Sequence, residues 1–235
     1  MTSELTTATH QKIVIRLRPN ADVKMPLLKK VYIYSQFDTL ADIILNRTHL
    51  VANQKTFRIC ECEFYYRGEG HDDAYTHCSS EQSMNCKIYF HQNRNGTYKA
   101  GTYKGLDITL SPRHDVYFGV LIRSIQCIDT GVIEGPCNTV NKILEQFNCV
   151  DVKKFMSDKE TPLDVYDHKY GLYLVHSDPM DPLNLANHKQ LYKGPRIGLS
   201  DKYPEFRDRH YRYVITPEHI KKRRNTLHPI VDESI

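Results

Sequence analysis

The chain has 235 residues, of which 40% are hydrophobic and 26% are charged, so it is long enough to bury the core of one globular domain. Its apolar runs all fall short of the ~20 residues that a membrane-spanning helix needs, which excludes that class of protein. The net charge of +4, from 32 basic and 28 acidic side chains, is too small to indicate a nucleic-acid-binding protein unless the basic residues share one surface.

The two ends of the chain differ in composition from the middle. Residues 1–12 are polar and lack the basic start and apolar stretch of a secretory signal, so we expect a disordered segment and an intracellular protein. A domain is predicted over 13–220. The run KKRR at 221–224 opens a basic tail, 221–235, and also matches a short nuclear import signal.

The first half of the predicted domain contains both helical and strand patterns. Residues 11–17 and 29–35 predict short strands or an extended lead-in. From Asp38 to Leu50 apolar residues recur at helical spacing, and Asp38 is a suitable N-cap. Residues 57–66 alternate as in a strand, and a loop of Gly, His and Asp follows at 68–73.

The second half is rich in strand signals. Asn95–Gly96 lies in the turn NRNG and predicts a hairpin, and Gly135–Pro136 opens a helix that we expect to reach Phe147. The predicted strands are CKIYFHQ (86–92), TYKAGTYKGLDITL (97–110), VYFGVLIRSIQCI (116–128), LYLVHSD (172–178) and RHYRYVIT (209–216). This order predicts a single α+β domain with a mixed or antiparallel sheet.

Seven cysteines without a secretory signal indicate free thiols in a reducing compartment. Cys60 and Cys62 alternate along a strand and should point to the face opposite Glu61 and Glu63. The spacings of the cysteines and His77 match no four-ligand zinc module, so no metal is predicted.

An acidic strand provides the candidate catalytic group. Glu61 and Glu63 are two residues apart and share one face of their strand, either as an acid–base pair or as the solvated face of an edge strand. Tyr65 continues that face, and His77 follows the Gly- and Asp-rich turn. A carboxylate that activates water, an aromatic ring and a polar anchor are the groups that hydrolysis of a glycosidic bond needs.

Two further charged residues interrupt apolar strands. Arg123 stands in FGVLIRSI, where a bare charge would be costly, so it forms either a structural salt bridge or a functional pair with Glu63. Asp107 interrupts LDITL and either supports a pocket as a second carboxylate or satisfies backbone donors.

A glycine-containing repeat and a late basic cluster are candidates for binding nucleic acid. The motif GTYK occurs twice and supplies Lys99, Tyr103 and Lys104 on glycine-permitted backbone, suited either to phosphate contact or to a solvated hairpin. Arg196 and the arginine-rich run at 207–212 add positive charge, although most charge runs are solvated faces.

Taken in order, these motifs resemble the alkyladenine (3-methyladenine) DNA glycosylase family over residues 38–216. Each motif is short, but six in the family's order carry the resemblance. They are E-C-E-F-Y (61–65), D-D-A-Y-T-H (72–77), G-T-Y-K-A-G-T-Y-K-G (96–105), V-L-I-R-S-I (120–125), E-G-P-C-N-T-V (134–140) and P-R-I-G-L with Y-R-Y-V-I (195–215).

The resemblance implies a role for each matched residue. Glu63 is similar to the family's general base, and Arg123 to the arginine that holds the catalytic water. Tyr65 resembles the aromatic residue that stacks on the flipped base, and His77 the histidine that bonds the base or the adjoining sugar-phosphate. Asp107 is also assigned to base binding, from its place in the run LDITL rather than from the resemblance. Excision of a modified, alkylated purine from DNA by a cofactor-free monomer is the implied function, on a curved, mainly antiparallel sheet with few helices.

The chain departs from the family pattern where aromatic residues open the duplex. Gly101 and Lys104 stand at the corresponding places, and the loop from Tyr65 to His77 is longer than usual. Single-stranded DNA, RNA and a small nucleotide therefore stay open as substrates. A nucleic-acid-binding module that has lost catalysis on the same fold is the alternative function.

Overall fold

A computed structural model describes residues 26–127, 131–176 and 188–231, with the backbone alone for 26–35. The helices are α1 (Pro26–Asn46), α2 (Pro136–Gln146), α3 (Val152–Met156) and α4 (Pro204–Arg207). The predicted strand at 11–17 and the N-terminal segment 1–12 lie outside the described residues.

Twelve strands in the described residues form one sheet. They are β1 (Thr48–Ala52), β2 (Lys55–Gly68), β3 (His71–Asp72), β4 (Asn85–Phe90), β5 (Leu106–Leu110), β6 (Tyr117–Cys127), β7 (Gly131–Glu134), β8 (Leu163–Asp164), β9 (Leu172–His176), β10 (Tyr192–Gly194), β11 (Arg212–Val214) and β12 (His228–Pro229). The main order is β12-β10-β11-β2-β6-β5-β4-β8. Every strand pairing described is antiparallel, which confirms the predicted α+β class with a mainly antiparallel sheet and few helices.

The prediction of an extended lead-in at 29–35 is wrong, because these residues belong to α1. No glycine or proline interrupts the chain between Pro26 and Asn46, so the helical pattern after Asp38 continues back to a proline at the first turn. Asp38 is consequently not an N-cap. Its carboxylate accepts hydrogen bonds from the Tyr213 hydroxyl at 2.6 Å and the Lys193 ammonium at 2.8 Å.

The two long central strands, β2 and β6, separate an apolar face from a polar one. Helix α1 covers the apolar face, where the Phe37 ring lies 4.9 Å from Phe64 and 5.5 Å from Phe118. Cys60 and Cys62 are fully buried in this core, as their alternation with the glutamates predicts. Burial of these side chains stabilises the sheet by roughly 1.5–3 kcal/mol for each large apolar group.

The register between β2 and β6 shifts twice, and these shifts direct polar side chains of β6 toward Glu61 of β2. Ile59 pairs with Ile125 and Glu61 with Ser124, but Cys62 pairs with Ile122, so Arg123 has no direct partner in the register. Such bulges redirect side chains locally.

The hairpin predicted at NRNG is confirmed, although its loop is longer than a two-residue turn. Strands β4 and β5 pair, and Gln92 bridges to Tyr98 across the turn. Gly96 has φ +78°, a conformation that glycine adopts at low cost.

Residues 228–230, near the end of the described chain, pair with the edge of the sheet. Strand β12 pairs with β10, and the Ile230 N–H donates to the Leu191 carbonyl at 2.9 Å. The basic residues 221–224 are exposed beside it. Among the described residues, the helices are too short or too polar to span a bilayer.

Candidate functional site

The polar face of the sheet carries a row of residues in register across four strands. Asp107 pairs with Leu121, Leu121 with Glu63, and Glu63 with Arg212. Paired residues of antiparallel strands project to the same side, so both carboxylates belong to one face. The strand spacing of about 4.8 Å places their Cα atoms about 10 Å apart.

Glu63 is fixed by three donors and is 0% exposed. Its Oε1 accepts the Ile197 backbone N–H at 2.7 Å and lies 3.3 Å from a terminal nitrogen of Arg123. Its Oε2 accepts the Tyr65 hydroxyl at 2.8 Å. An ionised carboxylate has about four acceptor positions, so one position is left for a further donor such as water.

Glu61 anchors both arginines of this region. Its Oε1 accepts from Arg212 Nε at 2.6 Å and Arg123 Nε at 3.1 Å, and its Oε2 accepts from the Ser124 hydroxyl at 2.5 Å. We call Glu61, Glu63, Arg123 and Arg212 the carboxylate cluster. All four are buried, so each charge depends on its partners for stability.

Tyr65 lies between the carboxylate cluster and a second buried ion pair. Burial and the neighbouring Glu63 charge raise the pKa of the Tyr65 hydroxyl, which therefore stays protonated and donates to the carboxylate. The Arg196 guanidinium covers the ring at 4.5 Å. Arg196 is itself 0% exposed and pairs twice with Asp73, at 2.5 and 3.2 Å. The structure therefore places Arg196 behind the tyrosine and away from any surface for phosphate.

A second group of polar residues lies two strands away. His91 Nε2 is 2.7 Å from Asp107 Oδ1, and Gln82 Nε2 donates to Asp107 Oδ2 at 3.0 Å. The exposed His77 presents its ring to His91 edge to face, with centroids 4.5 Å apart. We call His77, His91, Asp107 and Gln82 the histidine cluster.

The charges of this cluster are set by its internal contacts. Burial pushes the pKa of Asp107 upward, but the His91 ion pair and the hydrogen bonds from His91 and Gln82 outweigh it, so the pKa is lowered overall. Packing of the His77 ring against Tyr89 and His91 removes part of its contact with solvent, and this shielding and the adjacent His91 lower the pKa of His77. His77 is therefore neutral at pH 7.

Two glycines make room for the histidine cluster. A Cβ at Gly105 would lie 2.5 Å from the His91 ring, and a Cβ at Gly119 would lie 2.5 Å from both Asp107 Oδ2 and Gln82 Nε2. Any larger residue at either position would displace the side chains that position Asp107 and His91.

The GTYK repeat forms an exposed turn beside α2. Tyr103 is 78% exposed, and Gly101 before it has φ +59°. The Lys104 ammonium contacts the Asn141 side chain, and Lys99 is half-buried nearby in sequence. The structure thus presents one aromatic ring and two lysines on this loop.

The predicted site residues fall into two groups. The structure brings Glu63, Tyr65 and Arg123 together, and it places His77 with Asp107. Sequence analysis did not single out His91, which follows the last residue of β4. Tyr89, two residues earlier, pairs with Asp107 in the register, so the alternation along the chain places His91 on the side of Asp107. It also missed the Ile197 N–H, because a backbone donor from a distant loop leaves no sequence signal.

No group of three or more His, Cys, Asp or Glu side chains in the described ranges is arranged to hold a metal ion. All seven cysteines lie in these ranges, and none of them forms a disulfide bond there. Burial raises the pKa of the Cys60 thiol to about 11, so this thiol is protonated at pH 7.

Comparison with known proteins gives one informative similarity. No family model matches the chain. The chain is 44% identical over 204 residues to the uncharacterized protein L759 of Acanthamoeba polyphaga mimivirus, an alignment that covers 81% of this chain and 91% of the viral protein.

Proposed function

We propose that this chain, which belongs to the family of the mimivirus protein, is an N-glycoside hydrolase that releases a modified purine base from DNA. The observation that carries the proposal is the convergence of Glu63, Tyr65 and Arg123 on one sheet face, with Arg123 Nη1 3.3 Å from the carboxylate and the tyrosine hydroxyl 2.8 Å from it.

This arrangement suits the activation of water. Glu63 would accept a proton from a water molecule whose oxygen then attacks the sugar C1′, while Arg123 holds the carboxylate in position. The ring of Tyr65 would support the extruded base, and a cationic alkylpurine would gain from the aromatic face. Base excision of this type needs no covalent lysine intermediate.

The exposed GTYK turn supports a polymeric substrate. A ring exposed to 78% at Tyr103 can stack on a base, and stacking is worth about 1–3 kcal/mol per base. Gly101 and Lys104 offer no further ring to fill the gap left by a flipped nucleotide. Unpaired bases cost less to extrude, so we propose a preference for single-stranded or mismatched DNA over a fully paired duplex.

Release of free bases from alkylated DNA and RNA tests the function. The parent protein should release modified purines, faster from single-stranded than from duplex DNA. Glu63→Gln should lose about 10²–10⁴ in rate while it still binds the nucleic acid. The matched control is Glu145→Gln on the surface of α2, where Glu145 forms an ion pair with Lys142, and this variant should release bases at the parental rate.

One observation favours a second function, a nucleic-acid-binding module without catalysis. Glu63 is 0% exposed and already accepts from three donors, as a purely structural carboxylate would. In that case Glu63→Gln would lower the melting temperature, the parent would bind single strands through the GTYK turn, and no base would be released from any substrate.

A further inference from the structure

We propose that the basic run 221–224 (KKRR), which the fold holds beside the carboxylate cluster, is a binding surface for the phosphate groups of a single-stranded nucleic acid. The inference rests on the proposed function and deepens it, since it names the surface on which the backbone of the substrate lies. The run follows residues 38–216, over which the chain resembles a known family, so the resemblance assigns it no role.

Hydrogen bonds hold the backbone of the basic run in place. The N–H groups of Lys221 and Lys222 donate to the two carboxylate oxygens of Glu134, at 3.0 and 2.8 Å. The Lys222 carbonyl accepts from Arg212 Nη2 at 2.9 Å. The run is therefore presented as a fixed surface, with its side chains free to reach a partner.

The same contacts place the basic run next to the carboxylate cluster. Arg212, which binds the run, donates from Nε to Glu61 of that cluster at 2.6 Å. Arg223 Nη1 donates to the Arg196 carbonyl at 3.4 Å, and the residue after Arg196 donates its backbone N–H to Glu63. A strand held on the run therefore lies close to the proposed catalytic carboxylate.

The side chains of the basic run carry uncompensated positive charge. All four are exposed, and none of them belongs to an ion pair formed among the described residues. Two acidic side chains lie near the run, but Asp208 pairs with Arg207, and Glu218 lies 3.7 Å from His219. Like charges on a fixed backbone repel one another, and a bound anion relieves this repulsion. The surface therefore favours an anionic partner.

A recess beside the basic run is large enough for part of such a partner. Its volume is about 520 Å³, within the range of ligand-binding clefts. The lining residues are Glu218, His219, Ile220, Lys221 and Arg224. Lys221 and Arg224 supply ammonium and guanidinium donors to this recess, and both groups form charge-assisted hydrogen bonds with phosphate oxygens.

The basic run and the GTYK turn flank the start of α2, which favours a polynucleotide as the anion. Glu134, which anchors the run, lies just before this helix, and the Cys137 thiol in its first turn donates to the Gly101 carbonyl of the GTYK turn at 3.1 Å. The positive end of the helix dipole adds to the potential between them. Phosphate groups on the run and a base on the exposed Tyr103 ring are the contacts that one single strand makes, whereas an acidic peptide has no base to stack.

Binding of an oligothymidylate of about 20 nucleotides tests this surface apart from the chemistry, because the probe carries no purine to release. The variant combines Lys221→Gln, Lys222→Gln and Arg224→Gln, and it keeps the Arg223 side chain. We expect the affinity at about 0.1 M salt to fall roughly 10–100-fold and the slope of log K against log salt concentration to become shallower by about 2, since each phosphate contact with a single strand accounts for about 0.7.

The matched control removes the same charge from another surface. It combines Lys153→Gln, Lys154→Gln and Lys169→Gln, on α3 and in the turn before β9, where all three side chains are exposed. This control should keep the parental affinity and slope. The melting temperatures of both triple variants should match that of the parent, because every substituted side chain is exposed.

A second variant separates the position of the basic run from its charge. Glu134→Ala removes the anchor of the run, leaves every cation in place and makes the net charge more positive. Charge alone would make this variant bind more tightly. Because we infer that the fixed geometry matters, we expect its affinity at about 0.1 M salt to fall by about fivefold, the contribution of one phosphate contact.

The outcomes for this surface and for the proposed function are distinct. Parental affinity and slope in the triple variant, an equal loss in the control, unchanged or tighter binding by Glu134→Ala, or a parent that does not bind the probe would overturn the surface. Displacement of the probe by polyglutamate as readily as by oligothymidylate would show an acidic protein as the partner and would also overturn it. Release of modified bases is measured separately, so the proposed function stands or falls on that assay alone.

Discussion

The carboxylate cluster and the histidine cluster lie on one sheet face and both contribute residues to one register row, but they differ in how far they are exposed to solvent. Both oxygens of Glu61 and of Glu63 accept hydrogen bonds, and both residues are at most 1% exposed. In the histidine cluster, 12% of the His91 side chain is exposed and His77 is exposed. The first cluster is therefore shielded from bulk water, whereas the second is in contact with solvent.

The largest effect on stability should come from the carboxylate cluster. Glu61→Ala removes the acceptor shared by Arg123 and Arg212, and loss of one partner of a buried ion pair costs about 3–5 kcal/mol. We expect the free energy of unfolding in urea to fall by that amount. Glu145→Ala, which breaks an exposed pair with Lys142, should change it by less than about 1 kcal/mol. Equal effects of the two variants would show that burial adds nothing to the contribution of the Glu61 ion pairs.

A smaller effect should follow from crowding the histidine cluster. Gly119→Ala places a methyl group 2.5 Å from the Asp107 carboxylate, and overpacking of this kind costs about 1–3 kcal/mol. In a protein that already carries Asp107→Ala, Gly119→Ala should lower the free energy of unfolding by less, because the carboxylate that it would contact is absent. Urea denaturation of the four proteins in this double-mutant cycle measures the coupling. Strictly additive effects would show that Gly119 does not support Asp107.

The smallest effect should appear as a difference in pH dependence. Because folding lowers the pKa of His77, its contribution to stability is fully present above the unfolded value near 6.5 and is lost as the pH falls through the folded value, about 4. His77→Gln should therefore lose less stability than the parent between pH 6.5 and 4, as measured by thermal unfolding. His114→Gln, at an exposed turn, should follow the parental curve. This prediction would be contradicted if the melting temperature of His77→Gln fell between pH 6.5 and 4 by as much as that of the parent.

Local pattern predicted much of the fold. The alternation of 57–66 and 116–128 identified β2 and β6, and Gly135–Pro136 marked the start of α2 within one residue. The same method failed at 29–35, where the run of Val, Tyr, Ile and Tyr after two lysines fits strand and helix alike. Where a run of residues fits both patterns, an adjacent helix can extend through it, as α1 does at 29–35.

The candidate site was predictable where its members share a strand or an interrupted apolar run. Glu63 and Tyr65 follow from alternation, and Arg123 from the cost of a bare charge, so these three were found from sequence. Arg196 was assigned to a nucleic-acid surface, yet it lies buried against Asp73, 123 residues away in the chain. A pairing at that separation depends on how loops fold over the sheet, which local pattern does not encode.

By itself, the sequence determined the strand faces, the helix at 136–146 and the group of residues that carry charge into apolar strands, because these depend on periodicity and on local conformational preference. The tertiary structure alone decided that Glu61 holds two arginines, that His91 reaches Asp107 and that Ile197 caps Glu63. Each of these contacts joins distant segments, and its geometry depends on strand register, on two bulges and on the absence of a Cβ at Gly105 and Gly119.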